Sequence, residues 1–178
     1  RDPEAPARLQ RTSPEALVDA ATRGGIDTIV STYNEPLITA EWSHAVFTAA
    51  HARGLLTGFV SNGHGTPEVL DYLQPVTDLY KVDLKAFRES SYRRLGGTLA
   101  AVLDTVRGLH RARLWVEVVT LVVPGLNDDP GELGEMADFL AGVSRDIPWH
   151  VTAFHPDYLM NDRGWTPVTT LVRAREIG

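Results

Sequence analysis

The sequence predicts an α/β fold built on a parallel sheet, and three observations carry this. Short β-branched runs alternate with helical patterns along the chain, and strands separated by helices of roughly 10–15 residues form βαβ units. Hydrophobic residues make up 43% and charged residues 22%, enough apolar surface for a packed core. Polar residues gather just after each strand-like run, at the end where parallel α/β folds place their sites. The 178 residues suit one domain and fall short of the roughly 250 that a complete eight-unit barrel needs. An open doubly wound sheet or an incomplete barrel of about five βα units fits this length.

The elements follow in order. Ser13 with Pro14 behind it starts a helix over 14–23, since proline suits the first helical position. A strand is expected over 25–32, then a helix over about 37–53 closed by Gly54. Strand 55–61 leads to a helix from 66 to about 73, and strand 78–84 to a helix over about 100–111. The fourth strand, 114–123, stops at Pro124-Gly125. A helix over about 130–144, a fifth strand over 149–154 and a helix from Thr166-Pro167 complete the order. The chain opens on Arg1 and closes within a helical pattern, so it is expected to be part of a longer protein.

Composition excludes several classes. No apolar run approaches the ~18 residues of a membrane span, and no signal-peptide pattern is present. A net charge of −6 argues against bulk nucleic-acid binding. The chain holds 0 cysteines, so these residues offer no disulfide, thiolate nucleophile or thiolate-held metal.

Five loops carry the polar residues: Tyr33-Asn34-Glu35-Pro36, Ser61-Asn62-Gly63-His64, Asp83-Leu84-Lys85, Pro124 to Asp129, and His155-Pro156-Asp157. Turn chemistry explains part of this, and Asn127-Asp128-Asp129-Pro130 reads as a turn plus helix cap. The third strand is different. Alternation puts Tyr80, Val82 and Leu84 on one face and Leu79, Lys81, Asp83 and Lys85 on the other. Three charges on one face must pair or meet a charged ligand. An ion cluster at a wet barrel mouth and an amino acid ligand both fit. Glu35 is either a loop-capping acid or an ammonium acceptor, and His155 a ligand contact or a structural histidine. His44, His51 and His110 are expected at the surface, and His150, Trp115 and Phe139 in packing. One further arrangement would use His64, Asp83 and His155 as Zn²⁺ or Fe²⁺ ligands of a hydrolase or lyase.

Taken together, Ser31-Thr32-Tyr33-Asn34-Glu35-Pro36, Val60-Ser61-Asn62-Gly63, Lys81-Val82-Asp83-Leu84-Lys85, Leu121 to Asp128 and Phe154-His155-Pro156 resemble the radical S-adenosylmethionine (SAM) proteins of the pyruvate formate-lyase activating-enzyme type. Trp115-Val116-Glu117-Val118, Pro148-Trp149-His150-Val151 and Thr166-Pro167-Val168 are similar to the radical SAM member of the AmmeMemoRadiSam system. The resemblance implies a partial TIM-like (β/α)6 barrel, with residues 1–178 forming one domain that holds units two to six. It implies that Tyr33-Asn34-Glu35 stands where the family's Gly-Gly-Glu meets the SAM amino group. Ser61, Asn62, Asp83 and Lys85 would line the methionine and ribose portions, Val123 would lie against adenine, and His155 would face SAM and substrate. It further implies a [4Fe–4S] cluster whose Cys-x-x-x-Cys-x-x-Cys loop is expected upstream of Arg1, so this segment alone is expected to be inactive and its first strand to have an open edge. A SAM-binding homologue that has lost the cluster is the other reading. Reductive cleavage of SAM and hydrogen abstraction from a substrate are the implied activity, in the cytoplasm. The substrate is unknown, a small molecule or a protein, and Memo-like and AMMECR-like proteins are the implied partners.

Overall fold

The computed structural model describes residues 11–157 and 160–178. Helix α1 (Pro14–Arg23) starts where the Ser13 hydroxyl accepts the Ala16 N–H, with proline at the first position. It leads to β1 (Thr28–Ser31), a 3-10 turn (Pro36–Thr39), α2 (Ala40–His51) and β2 (Leu56–Ser61). Next come α3 (Pro67–Leu73), β3 (Leu79–Asp83), α4 (Glu89–Arg94), α5 (Leu99–Arg111) and β4 (Trp115–Val122). The chain finishes with α6 (Pro130–Val143), β5 (Trp149–Ala153) and α7 (Val168–Ile177).

All five strands are parallel and lie side by side in chain order, β1-β2-β3-β4-β5. Crossovers between parallel strands are right-handed. With no reversal in strand order, successive crossovers return on the same face of the sheet. A doubly wound sheet needs a reversal, so the order matches part of a barrel wall. Burial agrees. Along β4, Val116, Val118, Thr120 and Val122 are buried, whereas Trp115 and Leu121 are exposed. The buried face meets Val18, Phe47, Val102, Val106 and Met136 from the helices in one core. Phe59 sits between Phe47 and Tyr80, with ring centroids 4.9 and 5.4 Å away. Burying each such ring contributes about 1.5–3 kcal/mol, so this stack is a main support of the β2–β3 pair.

Several expectations are corrected. Strand β1 starts at Thr28 because Gly25, at φ 68°, donates to the Thr22 carbonyl in the turn that closes α1. Helix α2 starts at Ala40 because Pro36–Thr39 winds as a 3-10 turn first. Helix α4 was not expected from the pattern. It is held by Glu89, which takes the Leu99 N–H at 2.9 Å and the Arg93 guanidinium at 3.3 Å. Trp115 and His150 are not packing residues but are exposed on the helix-free face. His51 is not a free surface residue, since its Nε2 meets Asp78 at 2.9 Å. Phe139 packs as expected, 5.9 Å from Phe87. Among the described residues β1 and β5 are the edge strands. No helix among them is long and apolar enough to cross a membrane.

Candidate functional site

The carboxyl ends of the strands are tied together by side chains. Glu35, in extended backbone after β1, caps the 3-10 turn by accepting the Leu37 N–H at 3.2 Å. The same oxygen accepts the Ser61 hydroxyl at 2.8 Å, and the other accepts the Asn62 N–H at 2.8 Å. Ser61 is buried and also accepts the Gly63 N–H at 3.1 Å. Gly63 has φ 78°, and a Cβ there would lie 2.8 Å from Val82 Cγ1, so only glycine lets the chain turn this tightly. The turn aims Asn62 Oδ1 at the His64 N–H, 2.9 Å away. His64 Nε2 accepts the Thr98 N–H at 3.0 Å, which leaves Nδ1 to donate to Asn62 Oδ1 at 3.2 Å.

Just past β3, Lys85 Nζ reaches back to Asp83 Oδ2 at 2.8 Å. Their side chains are 43% and 32% exposed, and pairs this wet contribute only about 0–1 kcal/mol. The pair is therefore a poor stability element. The Lys85 backbone N–H donates to the Tyr92 hydroxyl at 3.0 Å. Burial pushes the Tyr92 phenol up to about 12, the backbone N–H groups of Lys85 and Ala86 pull it down, and the Asp83 charge adds to the rise. A cavity of about 260 Å³ opens among Asn62, His64, Lys85, Tyr92 and Gly97.

Fully buried Asn127 joins the next two strands. Its Oδ1 accepts the Val123 N–H at 2.7 Å, and its amide donates to the carbonyls of Lys85 and Leu121 at 2.7 and 2.9 Å. Asp128 accepts the Gly125 N–H and Asp129 caps α6, so the expected turn and cap are present. Val123 is buried behind this loop. Thr166 ties the end of β5 to β4: its hydroxyl accepts the Phe154 N–H at 2.7 Å and donates to the Val122 carbonyl at 2.5 Å. His155 is exposed, its ring edge-on to Trp165 at 4.0 Å.

Hydrogen bonds thus bring Glu35, Ser61, Asn62 and His64 together, and Asn62 shares a cavity with Lys85 beside Asp83. Tyr33 is 88% exposed and Asn34 is exposed, at the outer lip of the first loop. Val123 and His155 belong to the rim through Asn127 and Thr166 rather than through direct contact with Glu35. The hydrolase arrangement finds no site. His64 is engaged by Thr98 and Asn62, Asp83 by Lys85, and His155 by Trp165. Among the described residues no three histidine or acidic side chains are grouped to hold a metal ion. Asn127, Tyr92 and Thr166 were not singled out as single residues with a tying role. A polar residue just past a β-branched strand is the available signal for Asn127, and it does not separate a tie from a turn.

The rim thus offers two carboxylates, an ammonium group and an amide within one region, a set suited to a zwitterion with hydroxyl groups. The profile of the radical SAM superfamily matches residues 2–140. The chain belongs to the radical SAM superfamily. This radical SAM chain is 32% identical over 166 residues to the uncharacterised protein MJ0808 of Methanocaldococcus jannaschii, covering 93% of the chain and 49% of that protein. It is 28% identical over 143 residues to the pyruvate formate-lyase 1-activating enzyme of Escherichia coli K12, covering 76% and 57%. The chain therefore spans about half the length of the curated relatives it matches. Among solved structures, a domain of the pyruvate-formate lyase-activating enzyme from Bacteroides vulgatus superposes with a TM-score of 0.68 at 16% identity, over 84% of this chain and 91% of that one. Streptococcus suis SuiB bound to S-adenosylmethionine superposes at 0.75 and 12% identity, over 96% and 41%. These likenesses show the shared fold. The radical SAM chain has 0 cysteines, so its own residues do not fit an iron–sulfur cluster.

Proposed function

We propose that this chain is the SAM-binding part of a radical SAM enzyme of the activating-enzyme type, and that the rim from Glu35 to His155 is where SAM lies. In the whole protein, SAM with a reduced [4Fe–4S] cluster held by cysteines outside these residues supplies a 5′-deoxyadenosyl radical that takes hydrogen from a substrate. The observation that carries this reading is the Asp83–Lys85 pair beside Asn62 on the open face, in a chain of this superfamily.

The residues fit SAM by their chemistry. Glu35, in the Tyr33-Asn34-Glu35 loop, is an anion braced by Ser61 and Asn62 and suits the ammonium of the methionine end. Lys85 suits its carboxylate, Asp83 the ribose hydroxyls, and the Asn62 amide either neighbour. The Val123 contact with adenine and the facing of His155 toward SAM rest on the family resemblance; Val123 is buried and the His155 ring stands edge-on to Trp165. These groups bind, orient and exclude water rather than exchange protons. On the AmmeMemoRadiSam resemblance alone we propose a cytoplasmic setting and Memo-like and AMMECR-like partners.

The test uses full-length protein, reconstituted with iron and sulfide without oxygen and given a strong reductant. Formation of 5′-deoxyadenosine from SAM is expected, and its loss in Asp83→Asn and Lys85→Met. No product from protein with an intact cluster overturns the enzyme reading. SAM binding without a cluster in the full-length protein instead supports a homologue that has kept only the pocket.

A further inference from the structure

Lys81 lies directly opposite Glu117 in the β3–β4 ladder, where opposite charges favour pairing. They do not pair. Glu117 Oε1 accepts the Trp115 indole N–H at 3.0 Å, and Oε2 meets His150 Nε2 at 2.8 Å. The carboxylate thus braces the indole on the helix-free face. Lys81 makes no hydrogen bond or ion pair among the described residues, whereas the other two charges singled out on its strand face, Asp83 and Lys85, neutralise each other.

Beside Lys81 a hollow of about 200 Å³ is bounded by Val30, Gly58, Val60, Leu79 and Trp115, with the Glu117 carboxylate, held by Trp115 and His150, at its edge. Gly58 keeps its floor low, since a Cβ there would lie 2.9 Å from Leu79 Cβ. Trp115 is 55% exposed and Val30 45%. A bare indole and aliphatic floor next to an ammonium with no hydrogen-bonded partner among the described residues match a molecule with an apolar body and one oxyanion, the Glu117 carboxylate being held away by Trp115 and His150. The distance also fits. Lys81 stands two residues before Asp83 on the same face, about 6.6 Å along the strand, one layer below the rim.

We propose that Lys81, Trp115 and the hollow between them bind the oxyanion-bearing apolar end of a small-molecule substrate. The chemistry is that of a carboxylate or phosphate on a ring or short alkyl body. The assignment of this ligand as substrate rests on the rim above being the SAM site; the binding site itself does not.

The experiment titrates full-length protein, without SAM, with benzoate, phenyl phosphate and benzamide, by calorimetry or ligand-observed NMR. Benzoate or phenyl phosphate is expected to bind, the tighter of the two identifying the oxyanion, and neutral benzamide about tenfold more weakly. Lys81→Met keeps the stem and removes the charge. It is expected to weaken the oxyanion about tenfold while leaving benzamide unchanged, and Lys81→Arg to restore the preference. Trp115→Ala is expected to weaken all three. Equal affinity for benzoate and benzamide, full affinity in Lys81→Met, or no binding by any probe overturns the proposal. The two readings fail separately. Oxyanion binding without 5′-deoxyadenosine formation keeps the site and removes the enzyme, and the reverse result does the opposite.

Discussion

The Glu35 carboxylate takes the Asn62 backbone N–H at 2.8 Å, so one side chain fixes the gap between the ends of β1 and β2. Its other oxygen holds the Ser61 hydroxyl. Glu35→Ala leaves three donors, the N–H groups of Leu37 and Asn62 and the Ser61 hydroxyl, without this acceptor, at a cost of about 1–3 kcal/mol. Urea unfolding of the full-length protein measures this. An unchanged midpoint would show that the carboxylate is not a structural tie.

Asp83 and Lys85 give the opposite pattern. Both are too exposed for their 2.8 Å pair to matter to folding, so Asp83→Asn and Lys85→Met are each expected to shift stability by less than about 1 kcal/mol. SAM affinity is expected to fall about tenfold or more in each, because charge-assisted contacts are lost. Equilibrium dialysis with labelled SAM reads the affinity. A large stability loss with unaltered binding contradicts the assignment.

Asn127 has three bonds and is 1% exposed. Asn127→Ala strands the Val123 N–H and two carbonyls, and is expected to cost about 2–4 kcal/mol. Hydrogen exchange at the Val123 amide is expected to accelerate with it. Protection equal to wild type would mean that the loop after β4 has another support.

Asp78 ties α2 to the sheet through His51 and Thr57. Burial raises its carboxyl, but the Thr57 N–H, the His51 hydrogen bond and the His51 charge outweigh it, so the folded value lies below the ordinary one. A lowered carboxyl contributes stability that is present above the unfolded value, about 3.9, and is lost as pH falls through the folded value. Asp78→Asn is expected to flatten that acid limb. Parallel unfolding curves for the two proteins between about pH 5 and pH 2 would reject it.

The Tyr80 hydroxyl is buried with no hydrogen-bond partner among the described residues. Burial chiefly raises its phenol, the nearby Ser61 hydroxyl, outside hydrogen-bond geometry, opposes the rise, and the Glu35 charge adds to it. The group therefore stays protonated. Removing an unsatisfied hydroxyl while keeping the ring is nearly neutral or stabilising, so Tyr80→Phe is expected to hold or raise the melting temperature. A drop of several degrees would reveal a partner for the hydroxyl.

Much of the framework was legible because strand alternation and helix starts are local. Ser13-Pro14 and Thr66-Pro67 cap helices where expected, and β3 splits its faces as its sequence does, burying Tyr80 and Val82. Barrel wall against doubly wound sheet was not decidable from βα rhythm, since both share it. Strand order decides it, and that is a long-range property. Trp115 and His150 were misread because large rings usually pack. Here Glu117 holds both on the open face; its contact with His150 spans 33 positions and has no local signal, whereas Trp115 lies two residues away on the same strand face. At the site, Glu35, Asn62, Asp83 and Lys85 stood out by charge or place. Thr166 did not, because a hydroxyl at the start of a helix reads as a cap until its bonds to Phe154 and Val122 are seen.

The two faces of β3 separate durability from chemistry. Tyr80, Val82 and Leu84 hold the wall to its helices, while Lys81, Asp83 and Lys85 stand outside that packing. If the rim is the proposed binding site, exchanges at the odd-numbered positions would retune recognition at little expense to folding. On that proposal, such a strand would be a natural place for related proteins to diverge in substrate while keeping one scaffold.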